Sequence, residues 1–358
     1  MLFTPLTAPS LQLSNRVVMA PMTRSRAVEH NTPNALMAEY YGQRASAGLI
    51  VTEGTSPSPK GLGYARIPGL FNQAHVQGWK PVTDAVHARG GKIFVQLMHT
   101  GRVSHAANLP EGAEVLGPTD EVCPGEMHTD AHGMQPHSTP RAMTDADIAQ
   151  AVAEYALSAQ LAIEAGFDGV ELHAANGYLI EQFLNANVNR RTDAYGGSIQ
   201  GRNRFALEVV RATVAAIGAD RVGIRVSPYG VVNTTGAYAD VEAQYMALTD
   251  ELAQLGVLYV HLLDHSAMGA PPVPAAFKFR LRVAFHGVFI LAGGFDRAGA
   301  ESALKAGQAD LIAFARPFIA NPDLVERMQA DAALNPLDMT TFYTPGPKGY
   351  TDYPALSV

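Results

Sequence analysis

An imidazole, a carboxamide and a phenol stand close together at His173, Asn176 and Tyr178, where the apolar run Gly169-Val-Glu-Leu-His173 gives way to a turn. Side chains of such different acidity can divide a reaction between them. His173 and Asn176, three apart, can both donate hydrogen bonds to one oxygen, while Tyr178 offers a phenolic proton to a neighbouring atom. A capped helix start would also use Asn176-Gly177, and a histidine alone is more often structural than catalytic. The three together make this stretch the candidate active site.

Other polar residues stand where apolar ones are expected. Arg225 lies inside the apolar Val222–Val226, and a buried arginine needs an anionic partner. Gln96 interrupts Lys92–Leu97 in the same way, and Thr23 follows Arg16–Ala20. Together they form a wall of donors suited to a flat heterocycle with several carbonyls and, in one redox state, a negative charge. Gly293-Gly294 and Arg316 follow two further apolar runs, and glycine N–H groups with an arginine can hold a phosphate. Phosphate at one end and a donor wall at the other fit flavin mononucleotide. A sugar-phosphate isomerase or aldolase would use the same parts.

These residues need a frame that brings distant segments together. Eight apolar runs bounded by turn residues read as strands: Arg16–Ala20, Leu49–Glu53, Lys92–Leu97, Gly169–His173, Val222–Val226, Val257–Leu263, Val288–Ala292 and Leu311–Ala315. Segments of helical spacing lie between them, among them Ala35–Ala47, His75–Ala88, Asp145–Ala165, Arg202–Ile217 and Ala239–Leu255. Gly48, Gly166, Gly256 and Gly307 each stand just before the next strand as helix-ending glycines. Strand alternating with helix eight times predicts an α/β fold, a single (β/α)₈ TIM barrel over 1–358. A doubly wound open sheet fits less well: Gly61-Leu-Gly63-Tyr-Ala-Arg66 starts like a dinucleotide-binding turn but breaks at the third glycine.

In a barrel of this kind chemistry gathers at the C-terminal strand ends. Those ends carry Pro21 and Thr23, Gly54, Gln96, His173 with Asn176 and Tyr178, Arg225, Gly293 with Gly294, and Arg316. The loops after the seventh and eighth strands are the usual phosphate site. Residues 98–143, after the third strand, lack helical period and are rich in Gly, Pro, His and Asp; a loop this long predicts a cap over the mouth, with some short strands of its own. Residues 1–15 would cover the barrel's bottom, and the aromatic segment Phe342–Tyr353 would be a tail folded back on the barrel.

Bulk composition excludes several classes. A net charge of -7 with scattered Lys and Arg argues against a nucleic-acid partner. No run reaches the ~20 apolar residues of a membrane span, and Met1-Leu-Phe-Thr-Pro lacks the pattern of a signal peptide, so the expected location is cytoplasmic. Cys123 is the only cysteine, which leaves no internal disulfide, no cysteine-ligated zinc and no four-cysteine iron-sulfur cluster; it reads as inert. A monomer or a homodimer is equally compatible with the chain.

Longer motifs add a resemblance. Arg16-Val-Val-Met-Ala-Pro-Met-Thr-Arg24, Gln96-Leu-Met-His-Thr-Gly-Arg102, Glu171-Leu-His-Ala-Ala-Asn-Gly-Tyr-Leu179, Asn189-Arg-Arg-Thr-Asp-Ala-Tyr-Gly-Gly197 and Gly349-Tyr-Thr-Asp-Tyr353 resemble the old yellow enzyme family of flavin-dependent ene-reductases, most like its bacterial N-ethylmaleimide reductase and pentaerythritol tetranitrate reductase branch. The resemblance runs from about Leu2 to Leu356. It implies an FMN-bound barrel that takes hydride from NADPH or NADH and passes it to an electron-poor alkene such as an enone, maleimide or nitroalkene, in ping-pong fashion. It also implies roles: Thr23, Gln96 and Arg225 on the flavin ring; Gly294 and Arg316 on its phosphate; His173 and Asn176 on the substrate oxygen; Tyr178 as proton donor; Tyr64 and Tyr343 lining the pocket. Several positions depart from the pattern. Thr23 replaces a cysteine of one branch and Asn176 a histidine of some relatives. Met98 stands for a tryptophan, which should enlarge or soften the pocket, and Ala315 for the glycine before the phosphate arginine. Two rival readings remain: a flavin-free phosphate-binding isomerase or lyase, and a flavin-binding protein without turnover.

Overall fold

The computed structural model describes residues 1–356. Its eight central strands follow one another around a closed parallel barrel: β1 (Val17–Met19), β2 (Leu49–Thr55), β3 (Ile93–Leu97), β4 (Gly169–Ala174), β5 (Val222–Val226), β6 (Tyr259–Leu263), β7 (Val288–Ala292) and β8 (Leu311–Phe314), with β8 returning to pair with β1. Each of the eight apolar runs becomes one of these strands. They lack the polar alternation of a half-exposed sheet because both faces are covered. Outward side chains pack under the helices, and inward ones such as Val18, Leu49, Phe94, Tyr259, Ile290 and Leu311 form a separate cluster in the lumen.

Helices Ala35–Gln43, Gln73–His87, Asp145–Glu164, Ile199–Ile217, Val241–Gln254, Ala275–Ala284 and Arg297–Lys305 run back between the strands. Five of these starts are set by side chains that accept the first free N–H groups: Asn34, Asn72, Ser198 and Asp296, and Thr144 in a reciprocal capping box with Asp147. Gly166, Gly256 and Gly307 take the left-handed conformation expected just past a helix. Gly48 does not share that conformation. The first helix already stops at Gln43, and what Gly48 supplies is clearance: a Cβ there would lie 2.1 Å from the carbonyl oxygen of Asn15.

Strands Leu6–Thr7 and Gln12–Leu13 pair as a hairpin, and Leu11 and Leu13 plug the N-terminal end of the lumen. Residues 98–143 carry an antiparallel hairpin, Glu126–Thr129 with Gly133–Pro136, and a short pairing of Leu116–Gly117 with Arg141–Ala142. At the other end of the chain the tail is held by two buried arginines that follow Thr23. Arg24 donates to the carbonyls of Phe342 and Gly349, and Arg26 to those of Thr341, Phe342 and Lys348. Tyr350 is fully buried and stacks on Tyr40 at 4.0 Å between ring centres. The tail is thereby fastened to the strand end that carries Thr23. Among the described residues no helix is long and apolar enough to cross a membrane.

The lumen's polar layer needs one missing side chain. Gly223 of β5 sits in register with Tyr259 of β6, and a Cβ at Gly223 would lie 2.1 Å from the Tyr259 ring. Gly223→Ala should therefore cost about 1–3 kcal/mol through overpacking, read as a lower melting temperature in thermal unfolding. An unchanged melting temperature would show that the ring can step aside freely.

Candidate active site

Strand register alone places the polar residues in layers. Glu171 of β4 lies beside Gln96 of β3 and Gly223 of β5, and two residues on, His173 lies beside Arg225, itself beside His261 of β6. Because side chains alternate along a strand, Glu171 and His173 share one face, as do Tyr259 and His261. That face is the lumen.

Glu171 is fully buried and saturated with donors. Its Oε1 accepts from Gln96 Nε2 at 2.8 Å; its Oε2 accepts from the Tyr259 hydroxyl at 3.1 Å and faces His261 Nδ1 at 2.8 Å. Burial alone would raise its pKa, but His261, Arg225 and Gln96 overcome that and hold it below the ordinary carboxylate value. His261 is itself held below the ordinary imidazole value, by burial that the nearby carboxylate only partly offsets. The pair is thus a carboxylate receiving an N–H from a neutral ring.

Arg225 is buried beside this pair, yet its guanidinium makes no hydrogen bond to any described residue, and Nε is without a partner. Its charge is balanced through space by Glu171 while its donors stay open. Gln96 is constrained in the complementary sense. With Nε2 committed to Glu171, its carbonyl oxygen is the atom left to accept.

The turn after β4 holds the second set of groups. His173 Nδ1 accepts from the Ala175 N–H at 3.3 Å, and burial, reinforced by Arg225, keeps the ring's pKa well below the ordinary value. A neutral ring that accepts at Nδ1 carries its proton on Nε2. Asn176 Nδ2 stands 3.5 Å from that Nε2, so two donors flank one small space. Asn176 is held in the left-handed conformation at φ +59°, its N–H donating to Ser227 Oγ at 3.0 Å. Ser227 in turn donates to Glu181, which also accepts the Gly177 N–H at 2.6 Å; burial raises the Glu181 carboxyl to about 7. Tyr178 packs edge-on against His173 with ring centres 4.9 Å apart, and its hydroxyl meets that of Tyr64 at 3.1 Å. Burial pushes the Tyr178 phenol up to about 12. Above these residues opens a cavity of about 720 Å³, lined among others by Thr23, Tyr64, Tyr178, Met127, Met134 and Tyr343. The β1 strand end, the 126–136 hairpin and the tail all contribute to it.

The remaining predicted residues ring the same mouth. Gly293 and Gly294, after β7, have φ of +145° and +72°; a Cβ on either would come within 2.6 Å of Asp264 O or Ala267 Cβ. Arg316 follows Ala315 at the end of β8, is exposed, and makes no ion pair or hydrogen bond to a described residue. Pro21 is buried just beyond β1, and Gly54 pairs in register with Gln96. Met98 does not line the open cavity as expected. It is 1% exposed and packs against Leu62 and Ile67 beneath Tyr64 and Tyr178, because the absent side chain of Gly54 leaves a space that its sulfur fills. Glu171, Tyr259, His261, Glu181 and Ser227 escaped the sequence reading as site residues. The signal was available for Glu171 and His261, which interrupt apolar strands as Arg225 does and sit on the same face.

The open groups fit flavin mononucleotide: an unpaired buried guanidinium and a free carboxamide oxygen for the ring edge, and one turn of two glycines with an unpaired arginine for a phosphate. The comparisons agree. Residues 1–335 match the family model described as NADH:flavin oxidoreductase / NADH oxidase. The chain is 42% identical to 12-oxophytodienoate reductase 7 of Oryza sativa subsp. japonica, over 99% of this chain and 94% of that protein. It is 44% identical to chanoclavine-I aldehyde reductase of Penicillium roqueforti, over 98% and 95% respectively. Among solved structures, morphinone reductase superposes with a TM-score of 0.95 at 45% identity, covering 99% of this chain and 96% of that one. The old yellow enzyme homologue from Zymomonas mobilis superposes with 0.95 at 38% identity, covering 99% of both. The flavin-free isomerase and the flavin carrier without turnover both give way to these matches. The chain belongs to the NADH:flavin oxidoreductase / NADH oxidase family, and is an FMN-dependent, NAD(P)H-using reductase of activated C=C bonds of the old yellow enzyme type.

Proposed function

We propose that the whole chain acts as one FMN-binding unit in which residues 98–143 cap the site, and that its groups divide as follows. Thr23, Gln96 and Arg225 hold the flavin ring edge, flanked by Pro21 and Gly54. Gly293, Gly294, Ala315 and Arg316 hold the phosphate. FMN held there would supply hydride to the substrate and would gather negative charge on reduction, which the open Arg225 guanidinium is suited to balance. His173 and Asn176 donate to the carbonyl or nitro oxygen of the substrate, drawing electrons from its β-carbon. Tyr178 protonates the α-carbon. Tyr64 orients that phenol, and Tyr343 and the methionines of the cap give the pocket a deformable apolar wall.

The observation that carries this reading is the pair of donors 3.5 Å apart with a high-pKa phenol against the same imidazole. Two hydrogen bonds to one oxygen and one proton to a nearby carbon are what hydride addition to an enone requires. Nicotinamide finds no domain of its own here, so it docks in the same cavity and leaves before the alkene enters, giving ping-pong kinetics. The volume and apolar lining support cyclic enones, maleimides and nitroalkenes as substrates.

The two half-reactions separate the roles. Tyr178→Phe should leave flavin reduction by NADPH or NADH nearly intact and slow reoxidation by cyclohexenone by about 10²-fold or more, as read in stopped-flow traces; equal slowing of both would remove Tyr178 from the acid role. The pH dependence follows from the same residues. An acid is lost as pH rises through its folded pKa, and for Tyr178 that lies near 12, while His173 stays neutral because its pKa is depressed. Reoxidation by an enone should therefore be flat from about pH 8 to about pH 10. A basic limb inside that window would contradict the assignment.

A further inference from the structure

We propose that His265 is a positioning residue that fixes the orientation of the Asn176 carboxamide, so that its NH₂ rather than its oxygen faces the substrate. The inference rests on the reading of Asn176 as a substrate donor. A carboxamide has two orientations half a turn apart that occupy the same space and present opposite chemistry. The Asn176 backbone does not choose between them, although it is held on both sides: its N–H donates to Ser227 Oγ, and its carbonyl accepts from Asn233 Nδ2 at 2.8 Å.

His265 makes the choice. It enters from the loop after β6 and is 2% exposed, and its Nε2 stands 2.8 Å from Asn176 Oδ1. The loop is rigidly built: Asp264 accepts the N–H groups of Ser266 and Val273 and the Lys278 ammonium. Gly230 leaves the space the ring occupies, since a Cβ there would lie 2.7 Å from His265 Nδ1. That Nδ1 is buried with no partner. Burial holds the ring's pKa down at about 4, so near neutrality it carries one N–H. Placing this N–H on Nδ1 would bury an unmatched donor, which native structures tolerate less well than an unmatched acceptor. The proton therefore sits on Nε2, the Asn176 oxygen accepts it, and the amide nitrogen turns toward His173.

Without His265 the alternative orientation becomes favourable. Asn176 Oδ1 would then accept from His173 Nε2–H, and the two groups would satisfy each other rather than a substrate oxygen. His265 thus keeps two mutually attractive groups apart as a pair of open donors.

The test uses FMN-loaded protein and the stopped-flow reoxidation by cyclohexenone. His265→Leu should lower the second-order rate constant about tenfold, the effect of misdirecting one hydrogen bond, and His265→Gln, which keeps an N–H donor, should return it to within about threefold of wild type. In an Asn176→Ala background, His265→Leu should cost nothing further. Additive losses in the double variant, or no loss in His265→Leu alone, overturn the inference. Asn176→Ala by itself reports on the underlying reading: no loss there means that Asn176 is not a substrate donor, whereas a loss there with none in His265→Leu defeats only the present inference. Should His265→Leu fail to fold, ¹⁵N NMR of histidine-labelled wild type decides, with the Nε2–H tautomer of His265 expected at neutral pH and the Nδ1–H tautomer overturning the proposal.

Discussion

One buried carboxylate organises the upper half of the barrel. Glu171 has no access to water, so it must be compensated inside the protein, and the means of compensation determine what the lumen presents. Its two oxygens take up Gln96, Tyr259 and His261. Its charge balances Arg225 without hydrogen-bonding to it. The result is a floor in which one amide is turned a fixed way and one guanidinium is left open. An apolar floor of the same volume would be simpler to fold and would offer a flavin nothing to bind.

The closed parallel sheet makes such a floor possible. Register in a barrel is set by apolar side chains along every strand, and a slip by one residue would send all of them to the wrong face. Glu171, His173, Arg225, Tyr259 and His261 are thus held in place by neighbours that do no chemistry. Loops vary over that frame. The β4 turn carries His173, Asn176 and Tyr178, the loop after β6 carries His265, and the 126–136 hairpin and the arginine-clamped tail supply part of the cavity wall.

Much of this was legible in the sequence because it depends on periodicity. The eight strands, the helices between them and the polar residues inside apolar runs all follow from spacing; Arg225 and Gln96 could be named on that ground, and His173, Asn176 and Tyr178 on their clustering at a strand end. Contacts between distant segments could not. Met98 reads as a pocket residue only through the family resemblance, where it stands for a tryptophan, but the gap over Gly54 draws its sulfur inward. Nothing near His265 in sequence points to Asn176. The clamp of Arg24 and Arg26 on Thr341–Gly349 joins the two ends of the chain through backbone carbonyls, which carry no sequence signal at all. Gly48 illustrates the converse error, since a glycine before a strand suggests a helix stop where the requirement is clearance for the Asn15 carbonyl.

Glu171 and Arg225 form a balanced pair in the floor of the proposed flavin site, and their charges would act in opposite senses on a reduced flavin bound there. The midpoint potential of the bound flavin in Glu171→Gln, measured by reductive titration against a reference dye, tests this most directly. Removing the negative charge while keeping the side chain's shape should raise the potential, on the order of tens of millivolts for one charge at a partly screened distance. A potential that is unchanged or lower would show that Glu171 does not set the field at the flavin and that the barrel floor does not tune it.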